Sequence, residues 1–92
     1  MLACTDIECR LDGEITVETV ASLLNELKTR IADKLPALDF SGVTQVDSSV
    51  LALILSCQRE AAQHQYRLHF SGVSSKIATL ADLYGVDSFL QA

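Results

Sequence analysis

The segment Leu38-Asp39-Phe40-Ser41-Gly42-Val43 returns 30 residues later as Leu68-His69-Phe70-Ser71-Gly72-Val73, matching at five of six positions. In each copy a Leu-x-Phe strand reads as ending at Ser-Gly, with a helical pattern behind it. Thirty residues is about the length of a βαβ unit. A right-handed crossover then makes the two strands parallel neighbours, with the intervening helix packed over them. Ordinary turn chemistry is enough to produce two similar strand ends, so the repeat speaks for architecture and not for duplication.

The helix between the copies begins at Val46-Asp47-Ser48-Ser49 and continues as six apolar residues, Val50 to Leu55. Asp47 reads as its cap, because a short side-chain oxygen accepts bonds from the unpaired N–H groups of a first turn. Ser48 and Ser49 then fall in the first turn, and the helix runs to about His64. At about 100° per residue, Val50, Leu51, Ile54, Leu55, Cys57, Ala61 and Ala62 make one stripe, with Ser56, Arg59, Glu60, Gln63 and His64 opposite. Leu53 falls among Glu60 and His64. Two readings stay open: a contact surface beside the two serines, or a single exposed leucine of the ordinary kind.

Upstream, Leu2-Ala3-Cys4 has the length of a short strand, and Ile7, Cys9 and Leu11 alternate with Glu8, Arg10 and Asp12 in an extended segment to Ile15, bent at Asp12-Gly13. Thr16 is placed to cap a helix on which Val17, Val20, Ala21, Leu24, Leu27, Ile31 and Leu35 recur, and Pro36 stops it. After the second repeat copy, Ser74 or Ser75 caps a last helix with Ile77, Leu80, Ala81 and Tyr84 buried and Gly85 as its stop. Val86 and Phe89 or Leu90 then fold back. Strand and helix alternate three times, which predicts an α/β chain in a single domain over residues 1–92.

The net charge of −5, with no Lys/Arg cluster, argues against nucleic acid or an anionic membrane as the main partner. No apolar run approaches the roughly 20 residues that cross a bilayer, and the start has no basic segment of the signal-peptide kind. Cys4, Cys9 and Cys57 are odd in number and lack CxxC spacing, for which a reduced, cytosolic setting is the simplest account. The expectation is a soluble chain inside the cell, without direct membrane insertion.

Catalytic motifs are missing. No serine sits in a GxSxG elbow, and Ser71-Gly72-Val73-Ser74-Ser75-Lys76 lacks the second glycine and the Gly-Lys order of a phosphate loop. His64 and His69 read as surface residues, the cysteines as no metal set, and the pairs Asp6/Glu8 and Asp12/Glu14 as the polar side of a strand. No cofactor, metal or enzymatic activity is expected. Phosphorylation of Ser48 would place about two negative charges at a helix N-terminus beside Val50 and Leu53. The plainer reading makes Ser48 and Ser49 helix-starting residues only.

Asp-Phe-Ser-Gly-Val-Thr-Gln-Val-Asp-Ser-Ser-Val-Leu-Ala at 39–52, between strand and helix, resembles the STAS domain, whose signature is an Asp-Ser-Ser/Thr-Gly-Leu turn. The resemblance implies a STAS-type mixed sheet of about four strands with helices packed on it. The leucine-rich 50–55 segment and Lys76 to Val86 are most similar to MlaB-like proteins, cytoplasmic STAS subunits of a phospholipid-transporting ABC complex of Gram-negative bacteria. That likeness implies an accessory subunit that binds the ATPase and is peripheral on the inner membrane through it, in a complex that maintains outer-membrane lipid asymmetry. The partner-binding patch it implies comprises Asp47, Ser48, Ser49, Val50 and Leu53, with Ser41, Gln45 and Ser74. The wider family implies an alternative, an antagonist of an anti-sigma factor kinase that is phosphorylated on the residue matching Ser48. Val50 stands where the family usually has glycine, which implies restricted kinase access and favours constitutive docking. The family's first strand is squeezed into Leu2 to Thr5 or missing.

Overall fold

The computed structural model describes residues 2–90. Four strands, β1 (Leu2–Cys4), β2 (Glu8–Ile15), β3 (Ala37–Val46) and β4 (His69–Ser71), form one sheet in the order β1-β2-β3-β4. The helices are α1 (Val20–Ala32), α2 (Ser49–Gln63) and α3 (Ser75–Leu83), followed by a 3₁₀ turn at Asp87–Leu90. β1 pairs antiparallel with β2, while β2, β3 and β4 run parallel. The first strand is therefore present, and the two repeat copies lie side by side as expected.

Period-two alternation decides which face of the sheet is covered. Cys9, Leu11 and Ile15 of β2, Leu38, Phe40 and Val46 of β3, and Phe70 of β4 are buried. Arg10 and His69, on alternate positions, are exposed, and Asp39 is half-buried. Right-handed β2-α1-β3 and β3-α2-β4 crossovers put α1 and α2 on the same face, where they pack against each other. Phe40 and Phe70 meet edge to face across β3 and β4, with ring centroids 5.8 Å apart.

The two repeat copies diverge at Ser-Gly. β4 ends there, but β3 runs on through Ser41-Gly42 to Val46, because its second half has β2 to pair with, Asp12 to Ile15 lying against Gly42 to Val46. One register shift precedes that stretch, between Arg10 and Asp12, and a second lies within it, between Gly13 and Glu14. At the first of them a Cβ on Gly42 would meet the Asp12 carboxylate and the Leu11 carbonyl, so only glycine fits.

α1 begins one turn later than the sequence suggests. The Thr16 N–H donates to Thr19 Oγ1, and that hydroxyl donates to the Glu14 carbonyl, so residues 16–19 form a turn and not the first turn of the helix. Leu23, Leu27 and Ile31 are the buried stripe, and Val17 is 73% exposed. Two more large apolar residues expected inside, Ile7 in the β1–β2 turn and Tyr84 at the end of α3, are also exposed.

The stripe of α2 is rotated from the expected one. Its buried residues are Val50, Leu51, Leu53, Ile54, Cys57, Gln58 and Ala61, an i, i+3, i+4 pattern centred between the sheet and α1. Leu53 and Val50 have no exposed surface. Leu53 is thus a core residue, neither a contact surface nor a stray surface leucine. Leu55 is half-buried, and Ala52 and Ala62 are exposed. Gln58 is the polar member of the stripe. Its amide donates to the Leu68 carbonyl at 2.9 Å and accepts from the Leu68 N–H at 3.2 Å, serving as a strand partner just before β4 begins.

The cysteines also depart from expectation. Cys4 and Cys9 face each other in the β1–β2 ladder and are joined by a disulfide, leaving Cys57 as the free thiol. A uniformly reduced set of three is therefore replaced by one pair and one buried single.

Candidate functional site

In parallel α/β sheets the segments leaving the carboxyl ends of the strands gather at one end of the molecule. Here those segments are residues 16–19 after β2, Asp47-Ser48 after β3, and Gly72 to Ser74 after β4. Asp47 ties the first two together. Its carboxylate accepts the Val17 N–H at 3.1 Å, the Ser49 N–H at 2.8 Å and the Ser49 hydroxyl, while its own N–H donates to the Ile15 carbonyl at 3.2 Å. These bonds hold the carboxyl below its ordinary pKa, the Ser49 hydroxyl contributing most, then the N–H groups of Ser49 and Val17. The expected bonding of Asp47 to a first-turn N–H is present, but the N-cap position is Ser48 and not Asp47, one residue later than the sequence suggests.

With Asp47 and Ser49 occupied in this way, Ser48 is left at the N-cap position, exposed, with its hydroxyl making no capping bond. It stands at the lip of an apolar cleft of about 370 Å³ whose other lining residues are Leu51, Leu55, Tyr84 and Val86. Leu55 and Val86 also line the next cleft, of about 500 Å³, together with Gln58, Arg59, Ala62 and Phe89. The two share one trough between α2 and the segment that follows α3. Tyr84, which lines the Ser48 end, is 62% exposed, so large apolar surface lies open there.

The residues expected to form the patch separate into three groups. Ser48 lies on the open surface, with Asp47 and Ser49 beneath it as its support. Val50 and Leu53 are in the core, so neither side chain is available to a partner, and Val50 does not crowd the Ser48 hydroxyl from the surface. Ser41 is bonded to Asp39 through both its N–H and its hydroxyl, each at 2.9 Å, at the level where Asp39 pairs with Ser71 of β4. Ser74 caps α3 by accepting the Ile77 N–H at 3.3 Å, and Gln45 is exposed at the end of β3. Leu51, Leu55, Tyr84 and Val86 are the neighbours of Ser48 that the sequence pattern missed. The available signal was the excess breadth of the α2 stripe, on which Leu55 and Ala62 were one side too many for a single buried face.

Among the described residues no group of His, Cys, Asp and Glu has the arrangement of a metal site, and no helix is long and apolar enough to cross a membrane. Cys57 is not a reactive thiol: burial, and then Glu60, push its pKa up to about 12.

A family model described as "Mlab, STAS domain" matches residues 5–91. Among solved structures, the anti-sigma factor antagonist SpoIIAA in its unphosphorylated form superposes with a TM-score of 0.74 at 21% identity, covering 97% of this chain and 83% of that one. No curated protein sequence matches the chain.

Proposed function

Because this chain belongs to the STAS domain family, whose members mediate protein–protein interactions, we propose that it is a non-catalytic accessory subunit that docks on the ATPase of a phospholipid-transporting ABC complex. The observation that carries this reading is the unused, exposed hydroxyl of Ser48 at the lip of an apolar cleft. The family model's Mlab description supports the choice of partner. Docking buries Ser48 with the open sides of Leu51, Leu55 and Tyr84, and holds the chain on the cytoplasmic side of the inner membrane through the ATPase.

The second reading is an anti-sigma factor antagonist controlled by phosphate on Ser48. It is favoured by the likeness to SpoIIAA and by the burial of Val50, which leaves a kinase unobstructed access to the hydroxyl. A phosphate there would meet the open end of α2, whose dipole favours it, and the Asp47 carboxylate, which repels it.

One experiment separates the two. The tagged chain and its Ser48→Asp and Leu55→Asp variants are recovered from the cells that carry the protein, and the co-purifying proteins and any phosphate on Ser48 are identified. An ATPase with its permease, lost in both variants at unchanged thermal midpoint, supports the transporter reading. A histidine-kinase-like anti-sigma factor with phosphate on Ser48 supports the second. Binding that survives both substitutions removes the Ser48 surface as the docking site.

A further inference from the structure

The disulfide between Cys4 and Cys9 lies where a sheet is easiest to open. β1 has three residues, sits at the sheet edge and pairs with β2 alone. Such a short edge strand has little intrinsic hold on its neighbour. The two cysteines are directly opposite, with Cα atoms 4.0 Å apart. The next pair toward the turn, Thr5 and Glu8, is hydrogen-bonded, Thr5 N–H donating to the Glu8 carbonyl at 2.8 Å. Cys4 and Cys9 therefore occupy a non-hydrogen-bonded position, where opposed side chains come closest.

We propose that Cys4 and Cys9 are a reversible oxidation site, at which a low-molecular-weight disulfide of the glutathione type converts two thiols into the cross-strand disulfide and latches β1 to the sheet. Cys4 is the point of entry. It is half-buried and lines a cleft of about 300 Å³ with Leu2, Glu26 and Arg30, whereas Cys9 has no exposed surface. The Cys4 thiolate attacks one sulfur of glutathione disulfide, forming a mixed disulfide and releasing one glutathione thiolate. The Cys9 thiolate then attacks the Cys4 sulfur and releases the second. The cysteine sulfurs lose two electrons, glutathione disulfide gains them, and the two thiol protons pass to the released glutathiones.

Cys57 does not compete for the mixed disulfide, being buried in α2 with a strongly raised pKa. The compartment argument rests on the docking reading above. A chain bound to an ATPase on the cytoplasmic side sits where thiols are held reduced, and disulfides formed there are transient and redox-sensing. The consequence is local. Reduction leaves β1 held by its short ladder only, and its departure uncovers the edge of β2 at Cys9 to Leu11 for pairing with another strand.

The test uses the isolated full-length chain, equilibrated over glutathione/glutathione disulfide ratios from cytosol-like to strongly oxidising. Thiol alkylation read by mass, and amide hydrogen exchange at Ala3 and Arg10, are followed together. The expected result is that Cys4 and Cys9 convert as a pair within that range while Cys57 stays unlabelled. Exchange at Ala3 and Arg10 should accelerate more than about tenfold on reduction, with Leu38 and Phe40 unchanged. Cys4→Ser, which leaves the core side chain of Cys9 in place, should exchange like the reduced protein. A pair that stays wholly reduced or wholly oxidised throughout, or exchange at Ala3 and Arg10 that is the same in both states, overturns the proposal. No partner is present in this titration, so its failure leaves the docking reading standing. Failure of the docking reading removes only the compartment argument.

Discussion

Asp47 holds three donors on two strand-to-helix connections, and that makes its contribution to stability depend on pH. Its folded pKa is lowered, chiefly by the Ser49 hydroxyl, so the unfolded chain takes up the proton first as the pH falls. The contribution is complete above the unfolded value and is lost as the pH drops through the folded one. Acid unfolding of Asp47→Asn beside the parent chain should therefore show the parent losing stability more steeply below about pH 4; superimposable acid slopes would remove Asp47 from this role. Gln58 offers a second residue-level test. Gln58→Leu keeps the volume but strands the Leu68 N–H and carbonyl inside the protein, at a cost of about 2–4 kcal/mol in urea unfolding. Leu53→Ala should cost about 2–5 kcal/mol as a core truncation and leave partner affinity per folded molecule unchanged. The bond between Asp47 and the Ser49 N–H was legible in the sequence, because it is local chemistry, whereas the bond to Val17, 30 residues away, was not. The place of Leu53 was not, because α1 and the sheet together cover more of α2 than the single face a surface helix hides.

All three helices end the same way. Leu35, Tyr66 and Val86 donate their N–H groups to the carbonyls of Arg30, Ala61 and Ala81, and the residue before each has positive φ: Lys34 at 61°, Gln65 at 67° and Gly85 at 71°. This is the Schellman arrangement, in which a left-handed residue lets the next N–H reach back to the last turn. Glycine adopts that conformation freely and the other two residues do not. Lys34→Gly and Gln65→Gly should each stabilise the chain by up to about 1 kcal/mol, the relief of strain being offset in part by the greater freedom of unfolded glycine. A fall in the unfolding midpoint for both would show that the left-handed turn carries no strain here. Gly85 announced the end of α3 in the sequence, while Pro36 marked only the outer limit of α1. The paired Ser-Gly motifs misled at β3 for a related reason: a strand ends where its partner ends, and β2 keeps β3 paired for five residues beyond Ser41.

At the scale of the whole molecule, the parallel pairing of β3 and β4 with α2 over them followed from the 30-residue repeat and crossover handedness, while the places of β1 and β2 in the sheet did not. The location of the open apolar surface did not, because it is made where α2 meets the segment after α3, a contact no local pattern encodes. Charge can now be placed around that surface. Glu18, Asp82 and Asp87 are exposed; Asp82 and Asp87 are close in the chain to Tyr84 and Val86, which line the cleft, and Glu18 follows Val17, whose N–H bonds to Asp47 next to Ser48. Of the basic residues, Arg59 lines only the cleft further along α2. A net charge of −5 adds a long-range field of the same sign. A partner that fits should bring an apolar segment flanked by Lys or Arg, and the opposed charges should speed its arrival more than they strengthen the finished complex. The association rate, measured by stopped flow with the purified partner, should fall at least about tenfold between roughly 0.05 and 0.5 M salt as screening shortens the reach of these charges. Dissociation should change far less. A Glu18→Lys/Asp82→Lys variant should associate slowly at low salt and lose most of the salt dependence, with its unfolding midpoint within about 0.5 kcal/mol of the parent because both side chains are exposed. An association rate indifferent to salt and to both reversals would mean that the partner recognises the Ser48 cleft by apolar contact alone.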